Sequence, residues 1–552
     1  MQVRKEVKKC SIIREFSADE QLEFFGIYDK KTLHHVDTLY YAVYLNEPDD
    51  IVMLQKEDKL PEYLKYFLST MYSCKEELAA KFGENIDFGA LEFVPRSFGM
   101  YEYCVSLNEC FDIFISKYLP NAETPRIVVQ LRSRYLVMEG VRDAISQSFQ
   151  YLKDFLSPFG LFPVKVRENR IDFAYHTNLI QNLMKFFSDK NLQRHLKTSF
   201  KKGAKYFSLC DGVKIETLQL GNRRSNNVFF RAYNKVEEVI QLNYKAFFIH
   251  RWYQNGMISK FDKYVYEVAY EIGSYRTGCL VGRLKWYVDF GRDPKFVEEC
   301  QKLLETNFIK SDNCTQIEKK LRGVIPEPTV IVNIEFQTKR KFYMTCAEFL
   351  ENRALISDML AETGNQVFFK YDPILKPINN ILDCAGEIIE YITSYNGVIC
   401  FSKNNKLSLK NFIDEGEQYC NWWHRIRHTP VSYSDIDVVN FLRQYDQNAS
   451  ILKSRRLFQG QVARLAILQR SDIVESSFED DIADALCWLN DNDVPPFIKN
   501  PDYNIGVCDP VNYREIQIRK GRQLRGVIKN GAIKEYQNLK ETAQRKEQEE
   551  KE

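Results

Sequence analysis

The chain has 14 cysteines among its 552 residues, but no two are spaced as Cys-x-x-Cys; Cys104 and Cys110 are the closest pair. That excludes zinc-ribbon and zinc-finger frameworks. The opening "MQVRKEVKKCSIIREF" has no long apolar core of the kind a secretory signal needs. The cysteines therefore read as reduced, mostly buried thiols rather than as a disulfide framework. No stretch approaches the roughly 18 apolar residues that span a bilayer. The expectation is a soluble cytoplasmic protein with no membrane partner. Neither sign of charge is in excess: 77 Lys and Arg stand against 75 Asp and Glu, a formal net charge of +2. A globally basic, histone-like protein is excluded, and any nucleic-acid contact must come from local patches. Histidine is scarce too. Only seven occur, and none forms a His-hydrophobe-His pair, the metal motif of many DNA-nicking enzymes.

Aromatic residues, by contrast, are abundant. Phe (38) and Tyr (32) dominate an aromatic fraction of 14%, and hydrophobic residues make up 44%. Such a chain can bury a sizeable core, and little of it is expected to be disordered. Residues 1–35 are mixed and charged and read as an arm. From 36 to 290 strand-like segments alternate with long amphipathic helices: "VDTLYYAVYL", "PRIVVQLRSRYLVME", "NRIDFAYHTN", the hairpin "VKIETLQLGNRRSNNVFFRAYNK" and "KYVYEVAYEIG" read as strands. This order predicts an α+β fold, with a largely antiparallel sheet packed by long helices. Connecting helices follow at 291–324. Two prolines in "GVIPEPTVIV" mark an expected boundary near 325, beyond which a mostly helical C-terminal region ends in the charged tail 534–552.

Three of the strands carry candidate chemistry. One bears Asp172, with His176 four residues on; one bears Arg231, Tyr233 and Lys235 on a single face; one bears Glu267, with Glu271 four residues on. If these strands are neighbours, Asp172, Glu267 and His176 can hold Mg²⁺ or Mn²⁺. The ion polarises a phosphodiester, and the Tyr233 oxygen attacks phosphorus. Arg231 and Lys235 are expected to neutralise developing charge and to lower the tyrosine pKa from about 10. Taken singly, each residue has an ordinary reading: a strand tyrosine packs, strand carboxylates pair with cations, and "WHRIRH" (423–428) is a solvated basic face. Basic residues crowd this hairpin. Lys201, Lys202 and Lys205 precede it in an acid-free run, and Arg223 and Arg224 sit on its turn, as expected for DNA phosphate contact. Further basic runs occur around Arg455, Arg456 and Arg464 and at 513–529.

The segment "LQLGNRRSNNVFFRAYNKVEE" resembles the signature of the replication initiation factor (Rep-trans) family, initiators of rolling-circle plasmids and related conjugative relaxases. Gly221, Arg223 or Arg224, Ser225, Arg231, Tyr233, Asn234, Lys235 and Glu238 match it. Arg170 and Asp172 match the family's Arg-hydrophobe-Asp strand, and Glu267 its later Glu-bearing strand. The resemblance implies that Tyr233 nicks one strand at an origin, leaving a 5′-phosphotyrosyl link and a free 3′-OH, with Asp172 and Glu267 as metal ligands. It implies double-stranded and single-stranded origin DNA as partner, in a bacterial cell or phage-infected host. A host helicase is a further implied partner; a second copy of the chain is expected as well. His176 stands where the family often has a second Asp, and Val265 where it usually has Arg. A conjugative relaxase with the same chemistry, and a catalytically inactive DNA-binding protein of the same fold, remain as alternatives.

Overall fold

The computed structural model describes residues 5–431, apart from 8–9, 29–31, 48–59, 81–85, 108–109, 119–123, 188, 201–204, 211–213, 224–226, 244, 306–310, 346–370, 396 and 404–417. Apolar side chains alternating with polar ones build eleven strands of one sheet. In chain order they are β1 (Thr32–Leu45), β2 (Ile86–Phe88), β3 (Leu91–Phe93), β4 (Tyr103–Leu107), β5 (Phe111–Ile115), β6 (Ile127–Arg132), β7 (Pro163–Thr177), β8 (Lys205–Cys210), β9 (Lys214–Leu220), β10 (Val228–Asn234) and β11 (Val332–Lys339). Their order across the sheet is β8-β9-β10-β11-β7-β1-β6-β5-β4-β3-β2, and every neighbouring pair is antiparallel. The fold is α+β, as the sequence predicts.

Helices also form: α1 (Ala18–Phe25), α2 (Glu62–Ala80), α3 (Val141–Leu156), α4 (Phe247–Gln254), α5 (Lys260–Ile272), α6 (Tyr275–Phe290), α7 (Lys376–Asp383), α8 (Ala385–Thr393) and α9 (Asn421–Arg427). One sheet face carries the main core. There Val36, Leu39, Ile171, Phe173, Phe230, Ile334 and Phe336 meet Phe67 of α2, Phe149 of α3, Ile381 of α7, Ile389 of α8 and Trp423 of α9. Toward one end of the opposite face, a second core around Phe25, Phe248, Trp252, Phe261 and Trp286 joins α1 with α4, α5 and α6. Among the described residues, no helix is long and apolar enough to cross a membrane.

Several sequence expectations need correcting. "KYVYEVAYEIG" is the helix α5, not a strand. A capping box between Ser259 and Asp262 starts it, and Gly273 in the left-handed region ends it. Its Tyr/Val alternation mimicked period two, yet Phe261, Val265, Tyr266, Ala269 and Tyr270 bury one helical face. The boundary expected near 325 is crossed by the sheet, because β11 lies between β10 and β7. Within 375–395, 399–401 and 419–426, apolar side chains then add to the same core as the strands before them. The described part of the expected N-terminal arm is packed: α1 has its own capping box at Ser17 and Glu20 and packs Phe25 against Trp286 at 5.1 Å.

Candidate functional site

The antiparallel register brings the candidate residues onto the partly covered face. Tyr233 of β10 stands opposite Asn333 of β11, which stands opposite His176 of β7. One step along, Arg231 faces Glu335 and then Ala174; one step further, Gln337 faces Asp172. Residues directly opposite in a ladder share a face, so these rows form one polar patch.

Arg231 grips Glu335 with two parallel hydrogen bonds, Nε to Oε1 at 2.9 Å and Nη2 to Oε2 at 2.8 Å. The Tyr233 hydroxyl accepts from Asn333 Nδ2 at 2.8 Å and from Lys235 Nζ at 3.4 Å. Asn333 Nδ2 also lies 3.3 Å from Glu335 Oε2, linking the two rows. Asn234 ends β10 by accepting from the backbone N–H groups of Val236 and Glu237, which starts a single helical turn. That turn carries Lys235 inward to full burial, against Glu238 at 2.7 Å and Asp37 at 3.6 Å. Asp37 reaches it from an irregularity in the β1–β7 pairing between Val36 and Thr38, a bulge that re-aims the side chain.

Burial sets the electrostatics. It pushes the Tyr233 hydroxyl pKa well above its usual value; Glu238 and Glu335 add to the rise, and Lys235 and Arg231 only partly oppose it. The expectation that flanking cations lower this pKa is therefore overturned, since desolvation outweighs them. Burial also raises Glu335 to about 7, against the pull of Arg231, with Asp172 and Asp37 nearby. Burial works against the charges of Asp37 and Lys235, yet they hold one another ionised: Asp37 lies well below the usual carboxylate range and Lys235 well above the usual ammonium value.

The expected metal set does not assemble. Glu267 lies on the exposed side of α5, bound to Lys263 at 3.3 Å one helical turn away. Asp172 is held by both Nε, at 2.7 Å, and Nη2 of Arg170. His176 is four strand residues from Asp172, about 13 Å along the chain, too far for both to ligate one ion. It is fully buried, with its Nδ1 accepting from Trp252 Nε1 at 2.9 Å and its ring 4.2 Å from that of His35. Burial, with His35, Lys235 and Arg251 nearby, drives its pKa well below the usual imidazole value. Among the described residues no group of three or more His, Cys, Asp or Glu is placed to hold a metal ion. The carboxylates nearest Tyr233 each already hold an internal cation. The donor set as arranged does not fit Mg²⁺ or Mn²⁺.

Of the expected DNA contacts, Arg223 lies exposed at the β9–β10 turn and donates from Nε to Gln337 Oε1 at 3.3 Å. Arg224, Lys201 and Lys202 lie outside the described residues, as do Arg455, Arg456, Arg464 and 513–529; Lys205 begins β8, but its side chain lies outside them too. Sequence reasoning missed Asp37, Asn333 and Glu335. The signal for the last two was present: Asn333, Glu335 and Gln337 alternate with Ile334 and Phe336, a one-sided polar row in an apolar strand.

No protein-family model matches the chain, and no curated protein matches it. Among solved structures it is similar to that of a rolling circle replication initiator protein from Geobacillus stearothermophilus, at 10% identity and a TM-score of 0.31, over 73% of this chain and 100% of that one. A similarity this remote carries no functional weight.

Proposed function

We propose that this chain nicks and rejoins one DNA strand, as a rolling-circle initiator does, with Tyr233 as nucleophile. The observation that carries the reading is the Tyr233 hydroxyl itself, which accepts from Asn333 and Lys235 beside the Arg231–Glu335 pair. Two N–H donors aimed at one phenolic oxygen stabilise the oxyanion that forms when the proton leaves. In the reaction the Tyr233 oxygen bonds to phosphorus and the P–O3′ bond breaks. The proton lost by the phenol ends on the departing 3′ oxygen, giving a 5′-phosphotyrosyl link and a free 3′-OH. Attack by that hydroxyl reverses the step. Arg231, a quarter exposed along its side chain, and Arg223 offer planar donors for the phosphate. The Lys235 cation, fixed by Asp37 and Glu238, stays charged beside the forming bond. A conjugative relaxase would use the same step on a transfer origin. The sequence, rather than this site, is what suggests a metal cofactor, a helicase partner and a paired second copy.

The second reading is a DNA-binding protein of the same fold that does not cut. Tyr233 itself favours it, because the residue is only 9% exposed and its hydroxyl resists ionisation. A nicking assay separates the two. Supercoiled DNA carrying the element's own origin is incubated with wild type or Tyr233→Phe, with Mg²⁺, with Mn²⁺ and with chelator. A covalent adduct on a denaturing gel from wild type alone supports the nucleophile; DNA binding without adduct under all three conditions supports the second reading.

A further inference from the structure

The sheet face that holds Tyr233 does not end there. Away from the second core it continues across β11, β7, β1, β6 and β5; there Tyr40, Asp112, Phe114 and Asp172 are buried, and Arg96, Arg132, Arg170 and Arg223 are exposed or partly so above them. Among the described residues its carboxylates are outnumbered. Asp112 binds Arg96 at 2.6 Å and Arg132 at 2.7 Å, Asp172 binds Arg170, and Glu335 binds Arg231. Lys339, whose Nζ donates to the Arg223 carbonyl, and Arg223 itself bring the cations to six against these three acids.

Aromatic rings are set among these charges. Tyr40 of β1 lies under the Arg170 guanidinium, 5.1 Å from ring centroid to Cζ. Phe98, at the turn between β3 and β4, is 45% exposed. Its ring lies 5.9 Å from Tyr40 and 5.4 Å from Phe114, and it is stacked on Tyr101 at 22°. An exposed ring held rigid by three others loses little freedom when a further flat group stacks on it.

We infer that this face is a track for single-stranded DNA, with Phe98 stacking an unpaired base and Arg96, Arg132, Arg170 and Arg223 following the phosphates back to Tyr233. The inference rests on the nicking reading for its end point. Duplex DNA keeps its bases stacked on one another and offers no free base face to Phe98, whereas a single strand offers one at every nucleotide. Tyr40 is three strands across from Tyr233 and six residues along, on the order of 25 Å, so the track runs well beyond the nick site.

The test measures binding of labelled oligothymidylate, a blunt duplex of equal length and oligouridylate to the full-length chain by fluorescence anisotropy. The variants are Phe98→Leu, which keeps apolar cover but loses the ring, Phe98→Trp and Arg96→Gln. Wild type is expected to favour oligothymidylate over the duplex. Phe98→Leu should weaken it about tenfold, the order of one lost base stack, with duplex binding unchanged and Phe98→Trp restoring it. Arg96→Gln should reduce the salt dependence by roughly one phosphate contact. Single-strand binding unaffected in both Phe98→Leu and Arg96→Gln overturns the track, as does preference for the duplex or for oligouridylate. Adduct formation is scored beside binding. An adduct from wild type with Phe98→Leu and Arg96→Gln both binding normally removes the track alone. No adduct, with Phe98→Leu binding weakened, removes the nicking reading alone.

Discussion

Lys235 is the residue on which the site's geometry turns. It is fully buried, and both Asp37 and Glu238 depend on it for neutralisation. Lys235→Ala leaves two buried carboxylates without that ammonium, and removing one partner of a buried pair costs about 3–5 kcal/mol. Thermal denaturation should show the loss, and a variant melting with wild type would contradict this account. Tyr233 yields a pH prediction. Its proton is held to well above the usual phenol value, so the nucleophilic fraction grows with pH throughout the working range. Single-turnover adduct formation should climb between about pH 7 and 9.5 without a plateau; a plateau in that interval would mean the phenol ionises much earlier than its burial dictates. Glu335 acts on stability instead. Its folded pKa of about 7 lies above the ordinary 4.5, so between those values the folded state binds more protons than the unfolded one. That contribution is fully present below pH 4.5 and is lost as pH rises through 7. Glu335→Gln should therefore raise the melting temperature relative to wild type more at pH 7 than at pH 4.5; the buried His35 and His176, with lowered pKa values, titrate with the opposite sign in the same window but do so in both proteins. Asp37, whose pKa is lowered below 3.8, affects only the more acid range and will not mask it. At this scale the sequence was partly legible. Arg231, Tyr233, Asn234, Lys235 and Glu238 stood together in one hairpin and its following turn, but Asn333 and Asp37 come to Tyr233 and Lys235 through pairing of strands about 100 and 200 residues away. Nothing local announces such a pairing.

Among the elements, α5 and β11 explain where sequence reading failed. Both carry aromatic or β-branched runs with polar residues interspersed, and period alone does not separate a short buried helix from a strand. The decisive signals were at the ends: Ser259 and Asp262 box the start of α5, and Gly273 closes it. For β11 the two prolines just upstream suggested a linker, although proline before a strand is compatible with entry into a sheet. The reassignment of Glu267 is directly testable. Its side chain is half exposed and, among the described residues, is paired with Lys263, so Glu267→Gln should leave adduct formation and stability near wild type, within about 0.5 kcal/mol. A Glu267→Gln variant that fails to form adduct would restore it to the site. The same helix makes a close crossing that tolerates no extra atom. A Cβ on Gly278 of α6 would lie 2.5 Å from the Ala269 Cα and one on Gly282 2.8 Å from the Val265 carbonyl oxygen, both on α5. Gly278→Ala must push the two helices apart, and overpacking of this kind costs about 1–3 kcal/mol.

Across the whole molecule, the candidate site and the fold share one sheet. The strand that supplies Asn333 and Glu335 is also the strand that joins β8–β10 to the rest, since β11 lies between β10 and β7. The sequence showed the α+β class because alternation within each strand is local. It concealed the extent of the sheet because β10 and β11 are joined through about 100 intervening residues, including α4, α5 and α6. A chain ended at residue 324 tests this arrangement. It would keep Tyr233 and every residue of the family-like hairpin, yet lose β11 and the cover that α7, α8 and α9 give the main core. If 36–290 were a self-sufficient unit, that fragment would melt cooperatively and form adduct. The topology predicts the reverse. With β11 gone, β10 exposes the ladder edge that β11 had paired, and so does β7, while Ile171, Phe173 and Phe230 lose Ile334 and Phe336 as core neighbours. Unpaired edges of this length invite aggregation. The fragment should be aggregation-prone and rapidly cleaved under limited proteolysis that leaves the full chain's sheet intact, and it should form no adduct. A monodisperse fragment with a sharp melting transition would show that β8–β10 are held to the sheet by something other than β11.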